Sequence, residues 1–311
     1  MKRIIYEPGV KLSGKRVVAL GFFDGVHEGH RVLRRNAKEE AERAGLPFSV
    51  YTFISENAPP KKGAALYSTE KKADIFEALG ADEMIISDFS SVSEMSAEDF
   101  VRKTLASDLG CEVAVCGYDF RFGKGASADA EMLGKLLSEC GGKALTVPEQ
   151  KIDGERISTT KIKELLSSGE CERANEMLGA PYSIDSVVTS GLGLGKKLGF
   201  PTVNSEFDGG VCHLKKGVYR TVTRTPCGIF SSLTNVGGCP TFEERAPHAE
   251  TNIIDFDGNL YGEKIRIYFL SYLREEKKFK DQNELILQIN IDKNRVIKEN
   301  GDIKWQEIGL N

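Results

Sequence analysis

The chain has 311 residues, 40% hydrophobic and 28% charged, with a formal net charge of -4; it exceeds a comfortable single core, so two domains are expected. The mildly acidic balance leaves no basic footprint for nucleic acid, and no apolar run of ~18 residues exists to span a membrane. Seven cysteines without a CxxC pair read as reduced thiols of a cytoplasmic protein, and the opening "MKRIIYEPGV" has too short an apolar run for a signal peptide.

The first half alternates strand and helix. "RVVALG" reads as a buried strand and 28–44 as a helix, "FSVYTF" as a strand and 69–79 as a helix, then "EMIISDF" as a strand. A helix over 96–109 opens with Ser96 and Asp99 in a capping-box-like start. "EVAVCG" is a strand, 129–141 a helix and "KALTVP" a strand. Such alternation predicts a parallel sheet with helices on both faces. Two short helices, 159–167 and 170–178, close this half. From Tyr182 the texture changes to short β-rich runs separated by Gly, Pro and Asn turns, which predicts a small antiparallel barrel or sandwich. A final helix is expected over 281–298, with Leu285, Ile286, Ile289, Val296 and Ile297 as its apolar face. The domain boundary is set at 181/182, giving 1–181 and 182–311.

The turn "GFFDGVHEGH", Gly21 to His30, holds two of the chain's four histidines. It lies where a strand hands over to a helix, the usual ligand position of a parallel sheet. Unpaired amides and the positive end of the helix dipole favour an anion there. Gly21 and Gly25 allow close approach of the backbone. His27 and His30 are three apart and share a helix face, so both can donate to a phosphate as charge builds on it. A zinc site is the rival reading; the spacing is not HExxH, and His213 and His248 lie far along the chain. A helix cap with two surface histidines is the plainest reading.

The same ten residues resemble the signature of nucleotidyltransferases with a His-x-Gly-His motif, in the form found in bacterial FAD synthetases. "GYDFRFGKG", Gly117 to Gly125, resembles a second motif of that family, and "ISTTKIKELLSSG", 157–169, its Ser/Thr-rich phosphate loop. In the second half "GLGLGKKLGFPTVN", Gly191 to Asn204, "AETNIIDF" and "YLREEKKF" resemble riboflavin kinase segments. The chain is thereby identified as a member of the bacterial bifunctional riboflavin kinase / FAD synthetase (FMN adenylyltransferase) family. The resemblance implies a Rossmann-like α/β nucleotidyltransferase domain followed by a six-stranded antiparallel β-barrel with a terminal helix.

The resemblance also implies roles. Nucleotide would be bound by Gly21, Phe23, Asp24, Gly25, Gly29, Ser158, Thr159 and Lys161 in the first half, and by Gly191, Gly193, Gly195, Lys196 and Lys197 in the second. Flavin would lie against Asp119, Phe120, Arg121 and Phe122, and against Arg274, Glu276 and Phe279. His27 and His30 would stabilise adenylyl transfer, and Glu250 would be the base that activates riboflavin. Thr202 and Asn204, on one side of an extended strand, would hold Mg²⁺. ATP, riboflavin and FMN would be the substrates; no nucleic acid or membrane partner is expected, and weak self-association is compatible with this. Three departures are evident: "ISENAPP" replaces the usual acidic residue and Pro-His-Pro, Lys161 and Lys163 stand where arginines are usual, and Asn252 stands where a histidine is usual. Lys lacks the bidentate fork of Arg, so adenylyl transfer is expected to lag behind kinase activity. The competing expectations are a kinase with a retained N-terminal scaffold, and a flavin- or nucleotide-binding regulator without turnover.

Overall fold

The computed structural model describes residues 1–57, 64–189, 199–206, 214–237 and 248–301. It divides into two compact units, Met1–Thr159 and Thr160–Asn311.

The first unit carries β1 (Lys2–Tyr6), β2 (Arg16–Leu20), α1 (Glu28–Ala44), β3 (Phe48–Phe53), α2 (Thr69–Ala78) and β4 (Glu83–Ser87). A single α turn, α3 (Ala97–Asp99), runs into a π-helix (Phe100–Asp108) and then β5 (Cys111–Gly117). Two short strands, β6 (Arg121–Phe122) and β7 (Ala128–Asp129), precede α4 (Ala130–Glu139) and β8 (Lys143–Val147). A two-stranded ribbon, β9 (Lys151–Ile152) and β10 (Glu155–Arg156), follows. The main sheet is parallel throughout, in the order β1-β4-β3-β2-β5-β8. All of "RVVAL" is buried because β2 is covered on both faces. Val17 and Ala19 pack with Leu33, Ala37 and Ala41 of α1 and Phe76 of α2. Val18 and Leu20 pack on the opposite side with Leu133 and Leu137 of α4 and Leu105 of the π-helix.

The second unit opens within α5 (Thr159–Ser168), whose first residue closes the first unit, and continues with α6 (Cys171–Leu178). Then come β11 (Tyr182–Thr189), β12 (Val203–Glu206), β13 (Gly217–Thr225), β14 (Gly228–Gly237), β15 (His248–Ile253), β16 (Lys264–Arg274) and α7 (Gln282–Asn300). The six strands close into an antiparallel barrel in the order β11-β12-β15-β14-β13-β16. Buried hydroxyls bond across its wall: Thr221 reaches Ser232 and Thr234 at 2.8 Å each, and Thr234 reaches Thr251 at 3.0 Å.

Four features depart from the expectations. β1 has no counterpart among the expected elements. Ile5 is 68% exposed, so this edge strand carries little of the buried pattern that marks β2. The helix expected over 96–109 starts as expected, with Ser96 Oγ accepting the Asp99 N–H at 3.1 Å, but most of it is a π-helix, which periodicity alone does not distinguish. On α7, Val296 and Ile289 pack against Val218, Leu233 and Ile254, whereas Ile297 is exposed. The face turned inward instead includes Asp292, which pairs with Arg274, and Asn300, whose amide donates to the Thr221 carbonyl at 3.3 Å. Finally, Thr202 precedes β12 rather than lying within it.

The sequence changes texture at 181/182, while the compact units meet at Thr159/Thr160. The difference lies in α5 and α6. The Asn175 side chain accepts the Tyr182 N–H at 2.7 Å and donates to the Phe269 carbonyl at 2.9 Å, and the Leu166 carbonyl accepts the Lys215 N–H. A fragment of residues 160–311 is therefore expected to melt above one of 183–311. At about 2–4 °C per kcal/mol for a unit of this size, loss of the Asn175 bridge alone is measurable by calorimetry. Equal melting temperatures would show that α5 and α6 add nothing to the barrel.

Candidate functional site

In the first sheet β2 leads through β3 to β4 and β1 on one side, and lies beside β5 on the other. The strand order reverses between β2 and β5, which is where parallel sheets open a ligand crevice. "GFFDGVHEGH" follows β2 and "GYDFRFGKG" starts at the end of β5, so topology brings both segments to one crevice.

The turn after β2 is tightly constrained. Phe23, Gly25 and Val26 have φ of 52°, 87° and 44°, a region costly for Phe and more so for a β-branched residue. The Phe23 ring is buried between Phe76 and His30, at centroid distances of 5.2 and 5.1 Å. It folds back over Gly21, where a Cβ would stand 2.9 Å from the ring. Any nucleotide contact of Phe23 is therefore left to its backbone. The Asp24 carboxylate accepts the Leu66 N–H at 2.6 Å, and the Asp24 carbonyl accepts the Thr159 hydroxyl at 2.9 Å. Thr159 thus brings the Ser158–Thr159 stretch against the turn.

His27 is the N-cap of α1, its Nδ1 accepting the His30 N–H at 3.4 Å. That acceptor role puts the proton of the neutral ring on Nε2. The two imidazoles stack, with centroids 3.7 Å apart and planes 14° from parallel. Gly29 makes this stack fit, because a Cβ there would lie 3.1 Å from His27 Cε1. The plain reading of the sequence is thus only half realised: His27 does cap the helix, but neither ring lies on the open surface. Burial lowers the His27 pKa to about 4, opposed by the Asp24 and Asp119 carboxylates, so the ring is neutral at pH 7.

In the segment after β5, Phe122 is buried and Phe120 stacks on it at 5.7 Å. Asp119 and Arg121 are exposed, Arg121 pairing with Asp129 at 3.5 Å. Asp119 pairs with Arg156 at 2.5 Å, and the guanidinium lies 5.3 Å from the Tyr118 ring centroid. Arg156 was not expected at the site; its position two residues before Ser158 was the only available signal. Ser158 is half-buried, and Lys161 and Lys163 are half-buried on α5.

In the barrel, register supplies the geometry. Asn204 of β12, Glu250 of β15 and Asn235 of β14 are direct cross-strand partners, which places neighbouring side chains within ~4.5–5.5 Å at Cβ on one face. His248 Nε2 lies 3.8 Å from Glu250 Oε1. Asn252 donates to the Pro201 carbonyl at 2.8 Å, which steadies the approach to Thr202. Glu276 accepts from Asn235 Nδ2 at 3.0 Å, over Gly237, where a Cβ would meet the carboxylate at 2.8 Å. Arg274 is held by Asp292 at 2.8 Å and faces the Phe279 ring 6.0 Å away. Asn235 was missed because "TNVG" reads as an ordinary strand end. Gly191, Gly193, Gly195, Lys196 and Lys197 lie outside the described residues. Thr202 and Asn204 offer neutral oxygen donors, which suit Mg²⁺ if phosphates and waters complete its shell. No cluster of three or more His, Cys, Asp or Glu able to hold a metal occurs among the described residues.

A parallel α/β unit with paired imidazoles at its switch point, and a closed barrel with a carboxylate between two amides, define a two-centre transferase of the nucleotide-handling class. Comparison with known proteins makes this specific. A family profile described as FAD synthetase matches residues 10–161, and one described as Riboflavin kinase matches 178–299. The bifunctional riboflavin kinase/FMN adenylyltransferase of Bacillus subtilis is 32% identical over 92% of this chain and 93% of its own length. That of Listeria monocytogenes is 33% identical over 89% of this chain and 90% of its own. A solved structure from Streptococcus pneumoniae, named as a macrolide-efflux protein, superposes with a TM-score of 0.85 at 26% identity, covering 95% of this chain and 99% of that one. The chain belongs to the bifunctional riboflavin kinase/FMN adenylyltransferase family. No helix among the described residues is long and apolar enough to cross a membrane.

The state of His27 has a measurable consequence. Its folded pKa of about 4 lies below the ordinary imidazole value of 6.5, so the unfolded chain binds the proton first. The stabilisation is complete above about pH 6.5 and is lost as pH falls toward 4, on the order of 3 kcal/mol in total. NMR titration should show no His27 Cε1–H midpoint above pH 5 in the folded protein. A midpoint near 6.5 would mean that the ring is solvated.

Proposed function

We propose that the barrel unit makes FMN from riboflavin and ATP, and that the α/β unit converts FMN and a second ATP into FAD and pyrophosphate, with the residue roles given below. In the barrel, the terminal ribityl hydroxyl of riboflavin attacks the γ-phosphorus of ATP. Glu250 takes the hydroxyl proton as the O–P bond forms, and ADP leaves. Thr202 and Asn204 would hold Mg²⁺, which supplies charge neutralisation at the phosphates. Asn252 keeps Pro201, and with it Thr202, in place. Glu276 and Phe279 line the flavin side, and Arg274 orders that segment through Asp292.

In the α/β unit an oxygen of the FMN phosphate attacks the α-phosphorus of ATP. The bond from that phosphorus to the bridging oxygen breaks, and pyrophosphate leaves. FMN is already the nucleophile, so the protein supplies position and charge stabilisation. His27, neutral and protonated at Nε2, donates without first having to gain a proton. His30, stacked beside it, adds a second donor, and the α1 N-terminus favours the developing anion. Support for this reading comes above all from the His27–His30 stack at 3.7 Å beside the β2–β5 crevice. Each half also matches its own family profile, which leaves no support for a kinase carrying an inert scaffold or for a binder without turnover.

The direct test is incubation with riboflavin, ATP and Mg²⁺, with FMN and FAD resolved by chromatography. Lys161 and Lys163 in place of a planar fork predict that FMN accumulates before FAD. Glu250→Gln should lower FMN formation by ~10²–10⁴-fold and still convert supplied FMN to FAD. Retention of riboflavin phosphorylation within a few-fold would remove Glu250 as the base.

The converse holds for the histidines. His27→Ala and His30→Ala should each slow FAD formation by roughly 10²–10³-fold, the usual loss for one donor to a transition-state oxyanion, with FMN formation unchanged. Equal loss of both activities would assign the histidines to folding.

A further inference from the structure

Lys72 is a fully buried lysine on α2, outside every segment assigned above. Lysine is almost never found in that state unless its ammonium is satisfied. Here Nζ donates to the Phe53 carbonyl at 2.8 Å, the Phe22 carbonyl at 3.2 Å and the Thr52 hydroxyl at 3.3 Å. The Thr52 hydroxyl in turn donates to the Phe22 carbonyl at 2.9 Å, and Nζ lies 5.0 Å from the Phe22 ring centroid.

The placement of these acceptors matters. β2 and β3 pair in register only as far as Leu20 and Tyr51, and Gly21 N–H still reaches the Tyr51 carbonyl at 3.3 Å. Beyond that point the strands separate, and Phe22 opens the turn with positive φ at Phe23, Gly25 and Val26. A strained turn persists only where its surroundings over-determine it. The ammonium supplies this where the ladder ends, by joining the carbonyl at the start of the turn to the end of β3. A neutral donor with fewer protons could not bridge all three oxygens.

We infer that Lys72, with Thr52, is a positioning residue for adenylyl transfer: it clamps the Phe22 carbonyl and so fixes the turn that aims His27 and His30. This rests on the reading of the α/β unit as the adenylylating centre. Lys72 touches no reacting atom; its effect passes through the turn, where a displacement of ~1 Å is enough to cost about 10²-fold in rate.

The test is Lys72→Met, which fills the space of the side chain without the charge or donors, assayed well below its melting temperature in the full chain. The expected result is a fall of about 10²-fold in kcat for FAD formation from supplied FMN. KM for ATP should stay within about threefold, as expected when only transition-state alignment is lost, with FMN formation from riboflavin unchanged. The His27 NMR midpoint should also rise from about 4 toward its ordinary value, because a relaxed turn lets water reach the ring. Thr52→Val, which keeps the charge and removes both hydrogen bonds of the hydroxyl, should show the same pattern at about tenfold, and it decides the matter if Lys72→Met does not fold. The inference is overturned if kcat stays within threefold in the variant that folds, if FMN formation falls in parallel, or if the His27 midpoint does not move. The parent's own conversion of FMN to FAD separately checks the reading of this unit, so the two failures are distinguishable.

Discussion

The first unit depends on a turn that the backbone does not favour. Three residues between β2 and α1 take positive φ, and Phe23 and Val26, the two that are not glycine, cost about 1–3 kcal/mol each. The surroundings offset this. The Phe23 ring is driven into the core, Asp24 is bonded to Leu66 and Thr159, and the Phe22 carbonyl is bonded to Thr52 and Lys72. What results is a helix start whose N-cap is an imidazole. Capping commits Nδ1, burial removes the charge, and the remaining Nε2–H becomes a donor of defined direction. The chemistry proposed for His27 is thus a by-product of how the helix begins.

The second unit uses register where the first uses strain. Side chains alternate faces along a strand, so a slip of one residue between β12, β14 and β15 would scatter Asn204, Glu250 and Asn235 to opposite faces. Closure of the barrel and the buried hydroxyl bonds between Thr221, Ser232, Thr234 and Thr251 oppose such a slip. Asn252 and Asn235 then act at one remove, Asn252 by holding the Pro201 carbonyl and Asn235 by seating the Glu276 carboxylate over Gly237. Neither amide is unusual by composition, and each acquires its role from the strand opposite.

Much of this architecture was legible in the chain. A short apolar run such as "RVVAL" reads as a strand buried on both faces, and α1 begins within the histidine motif, at Glu28. His27 and His30 stood out by residue type and spacing, whereas Glu250 stood out only through the resemblance of "AETNIIDF" to a riboflavin kinase segment. The π-helix, β1 and the polar inner face of α7 did not, since each depends on what packs against it: Phe100 and Leu105 against the sheet, β1 against β4, Asp292 against Arg274.

By itself the sequence determined local identity: the alternation that makes a parallel sheet, the turn-rich texture that makes a barrel, and motifs whose chemistry is written in adjacent residues. Tertiary structure alone decided which ordinary residues serve those motifs. Of two neighbouring lysines on α2, Lys72 is the one whose ammonium reaches the Phe22 carbonyl, and Arg156 meets Asp119 only because a β-ribbon returns to the end of β5. The physical reason is the same in both cases. Periodicity and propensity act over a few residues along the chain, whereas a buried charge or a cross-strand amide is defined by partners tens of residues away, and those meet only once the sheet order and the barrel register are set.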